Sequence, residues 1–227
     1  MRLIIVIPVY NEGPVIRGLI KSLPKKIRGI REILVVAVND GSADNSAAEI
    51  KKSGAILVSH PFNMGYGSTT VTGFEAAKLL DADIVVTFDG DGQHSPGDIS
   101  KIVRPIVEKK ADLVMGSRQL RQKEMPWYKK IGITGLGVIT FILSRKWTND
   151  SQSGFKAFSR KAIDSLQFEL LGYEFASEII MEAAAKNLRI KEIPIKIIYS
   201  EHSKRKGQPI INGINIVAKL IFKKITG

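Results

Sequence analysis

Apolar residues in the first half of the chain come in short, nearly unbroken runs, separated by stretches in which apolar and polar positions alternate at helical spacing. The runs are Leu3 to Val9, Glu32 to Val38, Ala55 to Ser59, Ile84 to Phe88 and Asp112 to Gly116, all rich in Val and Ile. Unalternated runs of this length are what strands covered on both faces require. Between them the spacing predicts helices over 14–23, 43–53, 66–80 and 96–109. Pro14 sits near the start of the first, and Ser95-Pro96 reads as an N-cap and N1 pair for the fourth. Strand-helix alternation predicts an α/β fold with a doubly wound, mostly parallel, Rossmann-like sheet.

In such sheets ligands bind outside the carboxyl ends of the strands, so the residues that follow each strand are where chemistry is sought. All five sets are polar: Pro8-Val9-Tyr10-Asn11-Glu12, Asn39-Asp40-Gly41-Ser42, His60 to Gly65, Asp89-Gly90-Asp91-Gly92-Gln93, and Ser117-Arg118. Asp-Gly pairs are ordinary turn formers, and one such set alone is turn chemistry. Five meeting at one sheet edge point to a site. Residues two apart in an extended segment face the same way, so Asp89 and Asp91 can present two carboxylates to one cation, with Gly90 and Gly92 leaving room for phosphates. Two carboxylates completed by phosphate oxygens are a usual protein site for Mg2+ or Mn2+.

Composition narrows the choice of metal and partner. The chain has no cysteine, and its three histidines, at 60, 94 and 202, are far apart, so an oxygen site for a hard cation is favoured over zinc. Its 227 residues, 44% of them hydrophobic, suit one domain. The start reads as a first strand, its apolar run being too short for a signal peptide. A net charge of +12 implies an anionic partner: nucleic acid, an anionic membrane surface or phosphorylated small molecules. No helix-turn-helix spacing, zinc finger, RNP-like motif or basic heptad region is present, so nucleic acid is not expected.

Pro8-x-Tyr10-Asn11-Glu12, Asp40-Gly41-Ser42, Asn63-x-Gly65-x-Gly67, Asp89-Gly90-Asp91-Gly92-Gln93 and Gly116-Ser117-Arg118 together resemble the motif series of family 2 glycosyltransferases with the GT-A fold. Asp150-x-x-Ser153-Gly154-Phe155-Lys156 and Glu192-Ile193-Pro194-Ile195 are similar to motifs of the dolichyl-phosphate mannose or glucose synthase branch. The resemblance spans about residues 3 to 204. It implies transfer of a hexose, with inversion, from a GDP- or UDP-sugar to a polyprenyl or dolichyl phosphate. It also implies that Pro8, Tyr10, Glu12, Val38 and Asp40 hold the nucleoside. Asp89, Gly90, Asp91 and Gln93 would take the diphosphate, with Asp89, Asp91 and Gln93 as ligands of Mg2+ or Mn2+, and Arg118 would take a phosphate.

Two departures stand out. Asn39-Asp40 replaces a frequent pair of acids, and Tyr199-Ser200-Glu201-His202-Ser203-Lys204 keeps the family's lysine but lacks its arginine, which leaves mannose unassigned. The alternatives are the same donor with a soluble sugar or glycerate-type acceptor, or a nucleotidyltransferase. A phosphate acceptor is already ionised at neutral pH and needs cations rather than a base, and Arg118, Lys130, Lys156 and Lys204 are candidates. Glu174 and Glu178, the acids near where related hydroxyl-glycosylating enzymes carry a base, are expected to be dispensable.

In the second half, Met125 to Trp147 holds an apolar run, Ile131 to Leu143, between basic and Trp-bearing flanks. It is shorter than the roughly 20 residues that span a bilayer, and reads either as a membrane-interface helix or as a core helix packed through Gly132, Gly135 and Gly137. Residues 209–227, following the catalytic domain expected over 1–208, read as an amphipathic basic helix. Both segments suit peripheral attachment to anionic lipid on the cytoplasmic face of a membrane.

Overall fold

The computed structural model describes residues 1–118, 127–169, 172, 174–195, 198 and 220, the side chains of 127–133 excepted. In chain order the elements are β1 (Arg2–Val9), α1 (Gly13–Ser22), β2 (Glu32–Asp40), α2 (Ser46–Ser53), β3 (Ile56–His60), α3 (Tyr66–Leu79) and β4 (Ile84–Thr87). A 3-10 turn (Pro96–Asp98) then leads into α4 (Ile99–Val107), β5 (Leu113–Arg118), α5 (Trp127–Ser144), β6 (Lys156–Ser159), α6 (Arg160–Ser165), α7 (Phe175–Ala185) and β7 (Ile190–Ile195).

Alternate residues of β1 leave opposite faces of the sheet, and both faces are covered. Leu3, Ile5 and Ile7 pack with Ile16 and Ile20 of α1 and with Ile99, Ile102 and Val103 of α4. Ile4 and Val6 pack with Phe74 and Ala77 of α3, in a layer that also takes Phe175, Ile179 and Ala183 of α7. This two-sided burial is why the strands read as unalternated apolar runs.

The strand order is β3-β2-β1-β4-β6-β5-β7. Five parallel strands were expected. Among the described residues the sheet has seven, and β6 runs antiparallel between β4 and β5. β1 to β5 and β7 therefore still point the same way, so the carboxyl ends of six strands and the amino end of β6 share one edge. Several boundaries also moved. β2 extends through Asp40 and β5 through Arg118, so these polar residues end their strands instead of following them. The fourth predicted helix is a 3-10 turn followed by α4, and Ser95 makes no side-chain cap bond there.

The 209–227 segment lies outside the described residues except for Leu220, which is buried against Met181 beside Leu136 and Leu143. Residue 73 sets how closely α3 approaches β1, because a Cβ on Gly73 would stand 2.1 Å from Cγ1 of Val6. Gly73→Ala is expected to destabilise the protein by about 1–2 kcal/mol, overpacking against a rigid valine outweighing a helix-propensity gain of about 1 kcal/mol. Urea unfolding should show a lower midpoint at unchanged slope. A stabilised variant would mean that the helix stands off the strand.

Candidate active site

Loops from neighbouring strands are bonded to one another along the carboxyl edge. After β1, Asn11 takes a left-handed conformation, its N–H donates to Ser42 Oγ at 2.9 Å, and its Oδ1 accepts the Ala43 amide. Glu12 is buried, with its amide on Ser46 Oγ, and Gly13 donates to Asp44 Oδ2. Tyr10 projects from this frame, 47% exposed. Val38 is fully buried in the α3-side core, so its part in a nucleoside site is to set the strand end from beneath. Pro8, two strands away from β3, pairs with Val38 in register.

Asp40 is nearly buried, and its carboxylate organises the loop after β3. Oδ1 accepts from Met64 N and pairs with His60 Nδ1 at 2.8 Å, and Oδ2 accepts from Gly65 N. The other imidazole nitrogen of His60 meets Thr72 Oγ1 at 2.9 Å. Gly41, at φ +64, has no room for a side chain: a Cβ would fall 2.5 Å from the Phe62 carbonyl carbon.

The Asp89–Gln93 loop lies against the end of β1, where a Cβ on Gly90 would come within 2.9 Å of the Pro8 carbonyl. Asp89 Oδ2 pairs with His94 Nε2 at 3.0 Å, and Tyr66 Oη is 3.4 Å from Oδ1. The His94 ring is buried against Phe88 and Phe155, and its Nδ1 has no hydrogen-bond partner among the described residues. A proton is therefore least costly on Nε2, where Asp89 accepts it. Burial pushes Asp89 upward, but the interaction with His94, reinforced by Lys156 and Arg118, holds it below the usual carboxylate range. Asp91 shifts the other way, raised by burial and by the charge of Asp89. Burial and the same charge push the Tyr66 hydroxyl well up. Gln93 anchors Asp91 twice, through its amide to Oδ1 at 3.0 Å and through Nε2 to Oδ2 at 2.5 Å.

This donor set suits Mg2+ or Mn2+: two carboxylates whose mutual repulsion a cation relieves, one of them held by Gln93. Among the described residues no cluster of three acids or histidines exists, and the oxygens of a bound phosphate or water would add to this pair.

On the far side, β6 brings a second segment to the same edge. Gly154 lies so close to Asp89 that a Cβ would be 2.3 Å from its Oδ1. Thr87 Oγ1 donates to the Gly154 carbonyl at 2.6 Å and accepts the Lys156 amide, fixing β6 to β4. Arg118 donates to Asp150 through Nε at 2.5 Å, Nη2 at 2.6 Å and its own amide at 3.1 Å.

Lys156 was a candidate to touch substrate phosphate. It is 1% exposed, and its ammonium donates to the Ser153 carbonyl beneath the surface, so its role is to balance buried charge. Burial brings it down to about 8, against the pull of Asp150 and Asp89. Lys130 lies in the first turn of α5, and Lys204 lies outside the described residues. Glu174 and Glu178 are buried, the first accepting from Gly172 N and the second from Glu169 N. His94, which its place before a helix N-cap marked as a turn or supporting residue, supports Asp89, whereas Tyr66, Asp150 and Glu192 had no role in the sequence reading. Asp150 and Glu192 stood within its motifs.

A family model described as glycosyl transferase family 2 matches residues 4–167. An uncharacterized protein of Methanocaldococcus jannaschii is 40% identical over 226 residues, 97% of this chain and 91% of that protein. The UDP-N-acetylglucosamine–dolichyl-phosphate N-acetylglucosaminyltransferase of Methanococcus voltae is 37% identical over 243 residues, 97% of this chain and 95% of that protein. Glucosyl-3-phosphoglycerate synthase of Mycobacterium tuberculosis, solved with Mn2+, uridine diphosphate and its product, aligns with a TM-score of 0.74 at 18% identity. The alignment covers 97% of this chain and 77% of that one, a likeness of fold.

Lys156 gives the site a pH signature. Its folded value of about 8 lies below the ordinary 10.5, so between these the unfolded chain holds a proton that the folded chain has released. Its contribution to stability is therefore present above the ordinary value and is lost as pH falls through about 8. The unfolding free energy of the wild type minus that of Lys156→Met is expected to rise from pH 7 to 10. A flat difference would mean that the lysine titrates as if solvated.

Proposed function

The chain belongs to glycosyl transferase family 2, and on that premise we propose that it moves a sugar from a UDP-sugar to a polyprenyl phosphate, with inversion and with Mg2+ or Mn2+. The observation that carries the acceptor assignment is the placement of Glu174 and Glu178, turned inward onto backbone amides. A hydroxyl acceptor needs a positioned base, whereas a phosphate monoester is already a dianion near neutral pH. The Methanococcus voltae relative, similar over nearly its whole length, is named for a UDP-sugar and a dolichyl phosphate, which makes UDP and an N-acetylhexosamine the first donor to test.

In this reading Tyr10 stacks on the base, and Pro8, Glu12, Val38 and Asp40 form the nucleoside end. Asp89, Asp91 and Gln93 hold the cation, which when bound would offset charge on the leaving diphosphate. Arg118 steadies phosphate, with Lys130 and Lys204 as further cations. An oxygen of the acceptor phosphate attacks the anomeric carbon as the bond to the β-phosphate oxygen breaks. The sugar configuration inverts, and nucleoside diphosphate departs. Transfer is expected from UDP-N-acetylglucosamine or another UDP-sugar to a short polyprenyl phosphate, and to fall about a hundredfold or more in EDTA or in Asp91→Asn, the scale of one lost electrostatic contact. Transfer only to a glycerate or sugar, or release of pyrophosphate, would sink the assignment.

A lipid-borne acceptor also calls for a membrane surface, and α5 offers one. Its inner side bonds to α7 through Thr140 Oγ1 and Ser177 Oγ at 3.1 Å. Val138, Phe141 and Ile142 face outward, followed by Arg145, Lys146 and an exposed Trp147 whose ring meets Phe141 edge-on. No helix among the described residues is long and apolar enough to cross a membrane. This reading places the protein on the cytoplasmic face, held by apolar insertion and basic charge. Replacing Phe141 and Ile142 with Ser is expected to cut sedimentation with anionic vesicles severalfold, while turnover of a water-soluble short-chain acceptor persists. Equal loss of both would make the face part of the core.

A further inference from the structure

Arg118 ends β5 on a long, flexible side chain, and the value of such a group to a reacting phosphate depends on where its planar fork points. Its Nε/Nη2 edge is occupied by both oxygens of Asp150, which is itself fully buried. Asp150 also accepts the Arg118 amide, so one carboxylate sets the main chain and the guanidinium of the same residue.

Asp150 is in turn held from the next strand. Glu192 on β7 accepts from Thr148 Oγ1, the Asn149 amide and Asn149 Nδ2, at 2.5, 2.8 and 2.6 Å. Thr148 Oγ1 then accepts the Asp150 amide at 3.3 Å. Because β7 and β5 are paired in register, with Glu192 opposite Met115 and Ile195 opposite Arg118, the segment is braced on the strand beside the one that carries the arginine.

A buried charge pair is a weak device for stability, since an apolar pair of the same size often does as well. What it supplies is a fixed direction. Lys156, buried alongside, is attracted by Asp150 and by Asp89 and repelled by Arg118, so the pair lies in a field of both signs.

We propose that Asp150 is a positioning residue that aims Arg118 at the reacting phosphates. The proposal rests on the functional reading above, in which Arg118 steadies phosphate. Transfer from the UDP-sugar to a short polyprenyl phosphate is measured for the wild type, Asp150→Asn, Arg118→Ala and the double variant, with calorimetry of UDP and Mn2+ and thermal unfolding alongside.

Asp150→Asn is expected to lower kcat/KM by about a hundredfold, the cost of misplacing a catalytic contact by an ångström, with UDP affinity unchanged. The double variant should be no worse than Arg118→Ala within about twofold, since a residue acting through another has no effect once that other is gone. Losses that multiply, or an equal loss of UDP affinity in Asp150→Asn, would overturn the proposal. Should Asp150→Asn fail to fold, Arg118→Lys decides: it keeps the charge without the fork, is expected to lose nearly as much as Arg118→Ala, and near-wild-type transfer would overturn the proposal. A wild type inactive toward the phosphate acceptor defeats the functional reading, and the proposal with it. An active wild type whose losses multiply defeats the proposal alone.

Discussion

Charge buried at one edge of the sheet must be balanced within a few ångströms, and the architecture of the site follows from that requirement. Asp89 and Asp150 are on different segments, and between them the Lys156 ammonium is drawn to both. An uncompensated charge in such a place costs several kcal/mol, far more than an ordinary core contact contributes. β6 brings Lys156 there, and it does so by pairing with β4 and β5 at once. The antiparallel strand in an otherwise parallel sheet is thus inseparable from the electrostatics of the edge.

The two halves of the edge are built differently. On the side of β1 to β3, backbone amides converge on single side chains: Asp40 gathers the loop after β3, and Asp44 and Ser46 gather the loop after β1. Such bonds fix the loops in relation to one another, which suits the proposed role of holding a neutral, planar nucleoside. On the other side, paired ions dominate, with Arg118 on Asp150 and Lys156 beneath them. That chemistry suits a region where two phosphates of different molecules approach each other.

The first five strands, the four predicted helices between them and the location of the polar clusters were legible in the sequence, because burial on both faces writes itself as apolar runs. β6 was not, since four residues that include a lysine carry no strand signal. β7 was seen only as a motif. Pro194 speaks against a central strand, yet β7 lies at the sheet edge, where a missing N–H costs no ladder bond. The sequence also put Lys156 among cations open to substrate. Burial is a tertiary property, and nothing local distinguishes a lysine beneath a site from one that faces it. The same limit applies to His94, whose support of Asp89 depends on two phenylalanines from different segments. GT-A architecture was legible through the motif series as a whole rather than through any one strand.

Because β5 touches β4 only through β6, the sheet has a gap that chain order does not fill until late. A ribosome has released the β4 strand and its Asp89 loop some 60 residues before the segment that completes their surroundings emerges, an interval read from Asp91 and Gly154 and slow to close as non-local pairings are. Until then Asp89 lacks the backbone of Gly154 at its side, and the edge of β4 stands open. The nascent protein therefore carries the apolar strand Ile84–Thr87 paired with β1 on one side and open on the other during that interval, which makes this edge the place where chaperone contact or mispairing between chains has its opportunity.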